Sequence, residues 1–563
     1  MALDLFRKKT ISTILKQGGD GEEHGLNKVL NVRDLTFFGI AAVIGGGTFS
    51  AIGNACFQGG PGVVILYVIC AIACGFTAMC YAEFASRVPV SGSAYTYAYV
   101  SFGELFAWII GWALIMEYSI GNIYIAFSWS GYFTNLLETF HIHLPEWLTI
   151  NYHEASANFR DAKIDSEGYK AWTAAPMLGS LRIIFDLPAL LINMFITYLV
   201  YRGAKESKNL SNAMVIIKLS IILLVIIVGC FYVDIENWTP FLPNGFTGVM
   251  AGASAVFYAY IGFDAVSTLA EESKNPQKDL PKGMIYSLII CTVVYIIMAL
   301  VLTGMVSYQL LGVSDPLAEI FAIKGVKWML FIVSIAAVVA MTSVLLVFQM
   351  GQPRIWMTMS RDGLMPKKFS EIHPKYKTPG FATIITGLVV GLPIFFTDEN
   401  LVLDFTSIGT LFAFVLVCGG VMILTRKQEN QKEETKGKFR VPFISSKFIF
   451  PIGFIAALVL VHYAFPTYFH DLTDLSGDKM QTNLPLIVFY IACVVFSVLA
   501  FVKNYSLIPL LGLISCLYLL TGMSVANWLW FFCWLIIGLI IYFLYGHKNS
   551  RLAKLKQSYN IKF

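Results

Sequence analysis

The chain has 563 residues, 57% of them hydrophobic, 15% aromatic and only 13% charged, with a formal net charge of +5 and a mean hydropathy of +0.69. That composition excludes an ordinary soluble domain and describes an integral membrane protein in a lipid bilayer, and so modest a charge implies no nucleic-acid partner. The ten cysteines lack metal-ligand spacing, and Cys70, Cys74, Cys80, Cys291 and Cys493 sit in apolar segments, as buried small hydrophobes do.

In chain order, a polar segment of residues 1–34 without a cleavable signal precedes the first apolar run. Runs of about 20 residues, each enough to cross a hydrocarbon core of about 30 Å, then fall at roughly 35–57, 62–83, 104–137, 183–201, 211–233, 246–271, 283–306 and 328–357. Six more follow at 380–397, 401–425, 448–468, 484–502, 505–522 and 526–545, so about fourteen transmembrane helices are expected. Lys and Arg cluster before the first span (Arg7, Lys8, Lys9, Lys16, Lys28, Arg33) and after the fourth, sixth, eighth and tenth. The opposite loops at 58–61, 234–245 and 523–525 carry none, so the positive-inside rule puts both termini in the cytoplasm of a multi-pass cell-membrane protein. The loop at 138–182 is then extracytoplasmic, either a small cap or a disordered excursion. Residues 426–447 form a cytoplasmic linker whose charged part, "RKQENQKEETKGKFR", reads as a solvated connection, and 546–563 form a cytoplasmic tail.

Two spans are interrupted. The first carries "VIGGGTF" at 43–49, three glycines that should break a helix, and the sixth carries Gly262 and Asp264 within "VFYAYIGFDAVSTLAEESKNP". Backbone freed in mid-membrane must be buried in protein or line a polar cavity. Two breaks five spans apart, in helices of opposite direction, suggest an inverted repeat with a midplane binding site, which is a transporter's architecture. The competing reading is that Gly45, Gly46 and Gly47 only admit a close neighbouring helix.

Six stretches, "DLTFFGIAAVIGGGTF", "YAEFASRVPVSGSAYTYAYVSFGELFAWIIGWALIMEY", "VYRGAKESKNLSNAMVIIKL", "YIGFDAVSTLAEESKNPQKDLP", "GQPRIWMTMSRDGLMP" and "WLIIGLIIYFLYGHKNS", together resemble the cationic amino acid transporter family of the amino acid-polyamine-organocation superfamily. The resemblance covers nearly the whole chain. It implies an all-α five-plus-five inverted repeat over 35–425, followed by four further helices over 448–545. Relatives usually read "GIG" then "IGxGIF", whereas this chain has Ala41 and Thr48 in "GIA" and "IGGGTF".

The resemblance also implies a site. Gly46 and Gly47, with Gly45 and Thr48 beside them, should offer N–H groups to a substrate carboxylate at the start of the outer half-helix, and carbonyls of Val43 and Ile44 should face its ammonium. Carbonyls of Tyr258, Ala259 and Ile261 should complete that cage, with Tyr260 and Phe263 as gate candidates or plain packing. Lys218 lies well inside the fifth span. It either snorkels or, as in proton-coupled relatives, replaces a sodium ion between the first, fifth and eighth spans, with Thr342 and Ser343 as oxygen partners unless those hydroxyls bond their own helix. Glu117 is too deep to snorkel and resembles a family glutamate near the pocket, where it would contact substrate, relay protons or hold a structural hydrogen bond. Met341 resembles a pocket position and would favour small neutral side chains.

The expected function is proton-coupled symport of an amino acid by alternating access. An exchanger of the same fold is the alternative, and a nutrient sensor is less favoured. A membrane enzyme would need catalytic clusters within the spans, and the eight histidines lie mostly in loops or near span ends. No cofactor or metal is implied, and the sequence does not speak to an accessory subunit.

Overall fold

Asn31 opens the first helix with a reciprocal cap. Its side-chain oxygen accepts from the Asp34 amide at 3.1 Å, while the Asp34 carboxylate accepts from the Asn31 amide at 3.1 Å. The computed structural model describes residues 5–554 except 12, 15–25, 165, 180, 314, 398, 429–438, 467, 477–478 and 524, so the polar N-terminal segment, the charged linker and the tail lie partly outside the described residues.

The elements follow the apolar runs. Helix α1 (Val32–Val43) leads through a wide turn, Gly47–Ala51, to α2 (Ile52–Gly59) and then α3 (Val63–Arg87), α4 (Ser93–Ser101) and the long α5 (Glu104–Thr139). Beyond α5 lie α6 (Tyr152–Arg160), α7 (Glu167–Ala174) and a hairpin of β1 (Met177–Leu178) with β2 (Leu181–Arg182). Next come α8 (Leu187–Arg202), α9 (Ala204–Cys230), α10 (Gly245–Ala251), α11 (Ala253–Tyr258) and a 3-10 segment, Phe263–Glu272. After these run α12 (Pro276–Met305), α13 (Pro316–Ile323), α14 (Lys327–Arg361), α15 (Gly380–Gly391) and α16 (Glu399–Gln428). The last group is α17 (Ile449–Ala464), α18 (Tyr468–Leu472), α19 (Lys479–Lys503), α20 (Leu507–Leu520) and α21 (Val525–Ile541).

Among the described residues, eight helical stretches are long and apolar enough to cross a bilayer, and four shorter apolar helices accompany them. The centre is built by α5 and α14, 36 and 35 residues long, which pack on each other, with α16 laid along α5 and α1 held between α9, α12 and α14. Outer faces are apolar and open, as lipid contact requires: Leu460 is 68% and Val502 70% exposed. The loop after α5 is an ordered cap. Its small core of Ile150, Ala155, Ala171, Ala175 and Ile184 is closed by Trp147, Tyr152 and Trp172, which decides against a disordered excursion.

Both interruptions are real. Ile44 leaves the helical region at φ −82°, ψ 96°, and Gly262 sits at φ +117°, a conformation that favours glycine. The breaks also touch each other. A Cβ on Gly47 would stand 2.5 Å from the Ala259 Cα, and one on Gly262 3.0 Å from the Ala42 carbonyl carbon. Each break therefore needs a glycine to let the other's backbone approach.

Candidate functional site

The three glycines divide the work. A Cβ at Gly45 would meet Val344 Cγ2 at 2.4 Å and one at Gly47 would meet Ala259, so these two serve packing. Gly46 is different. A Cβ there would find only ordinary contacts, 3.6 Å to Ile125 Cδ1 and to the Tyr258 hydroxyl, because Gly46 faces a cavity. That cavity, ≈ 20 Å³, lies between the breaks and is walled by Gly46, Gly47, Ile125, Tyr258, Ile261 and Phe348 among others. It has room for about one water, so a larger guest requires its walls to move apart. The Thr48 and Phe49 amides donate to the Gly45 carbonyl at 3.0 and 3.3 Å, so the donors left for an anion beside this space are the amides of Gly46 and Gly47.

The carbonyls of the breaks are partly spoken for. The Tyr295 hydroxyl of α12 lies 2.9 Å from the Val43 carbonyl oxygen and 2.7 Å from that of Ala259. A phenol has one proton, so only one of these acceptors is fully satisfied by it at a time. Thr48 Oγ1, expected at the pocket, is fully buried and donates instead to the Tyr295 oxygen at 3.3 Å. The Tyr258 carbonyl accepts from the Ile261 amide at 3.2 Å.

Lys218 is not a snorkelling lysine. It has no solvent-exposed surface, and its Nζ has four acceptors in reach: the carbonyls of Ile40 at 3.1 Å, Ala41 at 3.2 Å and Ile44 at 2.8 Å, and Ser343 Oγ at 2.8 Å. An ammonium has three protons and seeks the negative end of a helix, so Lys218 clasps the C-terminus of α1 and ties it to α14. Two expectations change as a result. The Ile44 carbonyl belongs to Lys218 and not to a substrate ammonium. Thr342, placed beside this lysine from sequence, points to α5, accepting from Trp129 Nε1 at 2.8 Å and donating to the Val338 carbonyl at 2.7 Å.

Several other expected positions lie away from the cavity. The Tyr260 hydroxyl donates to the Tyr67 carbonyl at 3.1 Å and its ring packs on Tyr67 and Tyr295. Phe263 packs on Tyr81 and Phe414. Both are core aromatics here, and the aromatics that wall the cavity are Tyr258 and Phe348. Met341 is fully buried in α14 but is not among the cavity-lining residues, where Val344 and Phe348 stand instead. Glu117, 2% exposed, accepts from Thr410 Oγ1 at 2.5 Å and so faces α16, one turn from the lining residue Gly121. It lies within electrostatic reach of Asp264, which forms a buried polar cluster with Tyr81 and Tyr118.

Sequence reasoning missed Ile125, Val344, Phe348, Thr406 and Tyr295. The first three carry no signal that distinguishes them from lipid-facing residues, since all are apolar residues in apolar helices. Gly121 had a weak one, a small residue where a Cβ would approach Phe348 to 2.8 Å.

The amino acid permease family profile matches residues 30–480, and the profile for the C-terminus of that family matches residues 505–550. The branched-chain amino acid permease BcaP of Bacillus subtilis is 38% identical over 97% of this chain and 99% of its own length. The methylthioribose transporter of the same organism is 36% identical over 98% and 99%. A vacuolar cationic amino acid transporter of Arabidopsis thaliana is 29% identical over 98% and 93%.

Proposed function

Given that the chain belongs to the amino acid permease family of membrane transporters, we propose that it is a proton-coupled symporter that brings a neutral, aliphatic amino acid into the cell by alternating access about the paired helix breaks. The observation that carries this reading is the Lys218 clasp. A fixed cation binds the end of the inner half-helix and α14 at once, so the hold on α1 depends on whether the ammonium keeps its proton. Proton release leaves the amine two N–H donors and a lone pair, weakens its hold on the Ile40, Ala41 and Ile44 carbonyls, loosens α1 and accompanies opening of the site. In this reading the substrate carboxylate meets the amides of Gly46 and Gly47. Its ammonium takes whichever of the Val43 and Ala259 carbonyls Tyr295 leaves.

The side chain of the substrate would lie against Ile125, Val344 and Phe348. Apolar walls admit an aliphatic group and offer nothing to a guanidinium, so a branched-chain substrate is favoured over a cationic one. The reciprocal contact between the two breaks supports a five-plus-five inverted repeat, the twelve apolar stretches together with the two interrupted segments support about fourteen spans, and the Lys and Arg pattern supports cytoplasmic termini in the cell membrane.

Sodium-free proteoliposomes test the proposal. An inward proton gradient should drive leucine, isoleucine or valine above equilibrium and an ionophore should abolish that accumulation, with arginine excluded. Lys218→Met keeps the apolar stem, cannot titrate and should lose accumulation while retaining measurable binding. Uptake that requires preloaded internal amino acid and ignores the gradient identifies an exchanger and overturns the symport reading.

A further inference from the structure

The four C-terminal helices contain a feature that amino acid transport does not use. Helices α17, α19 and α20 frame a chamber of ≈ 470 Å³ that is open on one side, where Gly453 and Ala457 are exposed, and is walled by Phe450, Phe454, Leu458, Phe489, Leu511 and Ile514 among others. The side-chain heteroatoms on its walls are the Tyr490 hydroxyl and the Cys493 sulfur. It begins beside Ile449 and Leu507, the first residues of α17 and α20, and reaches Val461. At 1.5 Å per residue that depth is about 18 Å, close to one leaflet of a hydrocarbon core about 30 Å thick. Gly453 opens on it with no heavy atom within 4 Å of an added Cβ.

Two cations stand at the mouth. Lys447 lies two residues before α17, and its Nζ lies 5.5 Å from the Phe448 ring centroid and 5.4 Å from that of Phe501 on α19. Lys503 is the last residue of α19 and is exposed. Among the described residues neither is in a salt bridge. The mouth is held together by the strap before α17: the Leu507 amide donates to the Ile444 carbonyl at 2.7 Å, and the Ser446 amide to the Tyr505 carbonyl at 3.0 Å.

We propose that this chamber is a phospholipid site, with one acyl chain in the slot and an anionic phosphate held by Lys447 and Lys503. The walls are almost wholly apolar and the slot is open along the exposed Gly453 and Ala457, so a flexible acyl chain can enter it from the bilayer. Charge separates an anionic headgroup from a neutral one, because basic residues where a transmembrane helix leaves the bilayer attract negatively charged lipid.

The test uses full-length protein, purified and delipidated, titrated with phosphatidylglycerol and with phosphatidylcholine of the same chains. Retained lipid is read by native mass spectrometry and the thermal midpoint is followed in parallel. Wild type should retain phosphatidylglycerol preferentially. Removing both charges in Lys447→Ala/Lys503→Ala should weaken that retention by about 30-fold and leave phosphatidylcholine unchanged. Gly453→Leu should fill the slot and lose both lipids without lowering the midpoint in detergent, since its side chain enters empty space. Equal retention of the two lipids by wild type, or no response to Gly453→Leu, overturns the site. A Gly453→Cys variant that crosslinks to a second copy in native membranes would assign the slot to a protein contact and also overturn it.

Discussion

A Cβ on Gly46 would stand at ordinary van der Waals distance from its neighbours, 3.6 Å, whereas one on Gly47 would stand 2.5 Å from backbone of the sixth span. The two positions should therefore fail in different ways. Gly47→Ala is expected to cost about 1–3 kcal/mol by overpacking and to lower the thermal midpoint of the purified protein. Gly46→Ala should be nearly silent, and Gly46→Leu should occupy the cavity and abolish amino acid binding with little loss of stability. Isothermal titration beside a melting curve distinguishes these outcomes, and a Gly46→Leu protein with wild-type affinity would return the whole triplet to packing. Tyr295 is the second residue to probe. Its hydroxyl spans the two breaks, so Tyr295→Phe leaves both the Val43 and Ala259 carbonyls without that donor, at a cost of about 1–3 kcal/mol in the unliganded protein. Because the substrate ammonium would then have both acceptors to itself, stability should be recovered in saturating ligand to a greater degree than in wild type. Melting curves with and without ligand measure that difference.

At the scale of elements, the inner ends of the interrupted spans are stitched together. The amides of Val29 and Leu30 donate to the Glu272 carbonyl at 3.0 and 2.9 Å, and the Lys274 amide donates to the Leu30 carbonyl at 2.8 Å. Arg354 of α14 forks onto the Glu272 carboxylate at 2.7 and 2.5 Å, and Arg361 pairs with Glu271 at 2.8 Å. The buried Arg354 fork holds orientation as well as charge, and the part-buried Arg361 pair adds to it. On the other side α13 lies on α2, with Pro316 2.8 Å from where a Gly53 Cβ would be. Asp315 caps α13 by accepting from the Ala318 amide at 3.3 Å, and burial pushes its carboxyl up to about 6. Its ordinary value in an unfolded chain is near 4. The folded state thus binds the extra proton, and this contribution to stability is complete below pH 4 and lost as pH rises through about 6. Melting curves between pH 4 and 7 should show the wild-type midpoint falling over that window relative to Asp315→Asn, in which the group cannot ionise. Parallel curves for the two proteins would count against it.

Across the whole molecule the two ends of the chain meet. Glu104, fully buried at the start of α5, accepts from Arg7 at 2.8 and 2.6 Å, Tyr99 at 2.6 Å, Tyr542 at 3.0 Å and Ser550 at 2.5 Å. Asp362 likewise takes Lys9 and, at 2.7 Å, the Tyr95 hydroxyl. The N-terminal segment and the end of the last helix therefore lie on one face of the bundle. The linker reaches that region too, its Phe439 and Val441 amides donating at 2.9 Å to Ser86 and Glu83 of α3. It is thus anchored at its end and is not a free solvated connection there. If the positive-inside pattern orients the chain, this face is cytoplasmic. Single cysteines at Glu236 and Lys447, in a background with Cys230 and Cys533 removed, test the assignment in intact cells. An impermeant thiol reagent should label Glu236→Cys and spare Lys447→Cys, and the reverse result inverts the topology.

What the sequence determined by itself is whatever depends on the bilayer as solvent. The length and position of the apolar runs, the two glycine interruptions and the depth of Lys218 and Glu117 all follow from the cost of bare backbone and charge in hydrocarbon, which local composition records. The tertiary structure decided which face of each helix turns inward. Of three adjacent glycines that line the cavity, Gly45 and Gly47 also admit close neighbours while Gly46 does not, Thr342 turned to Trp129 while Ser343 met Lys218, and Tyr260 entered the core while Tyr258 faced the cavity. Such choices turn on a rotation of about 100° per residue around a helix. In an all-round apolar helix the sequence carries almost no moment to fix that rotation, so only packing against the neighbouring helices could set it.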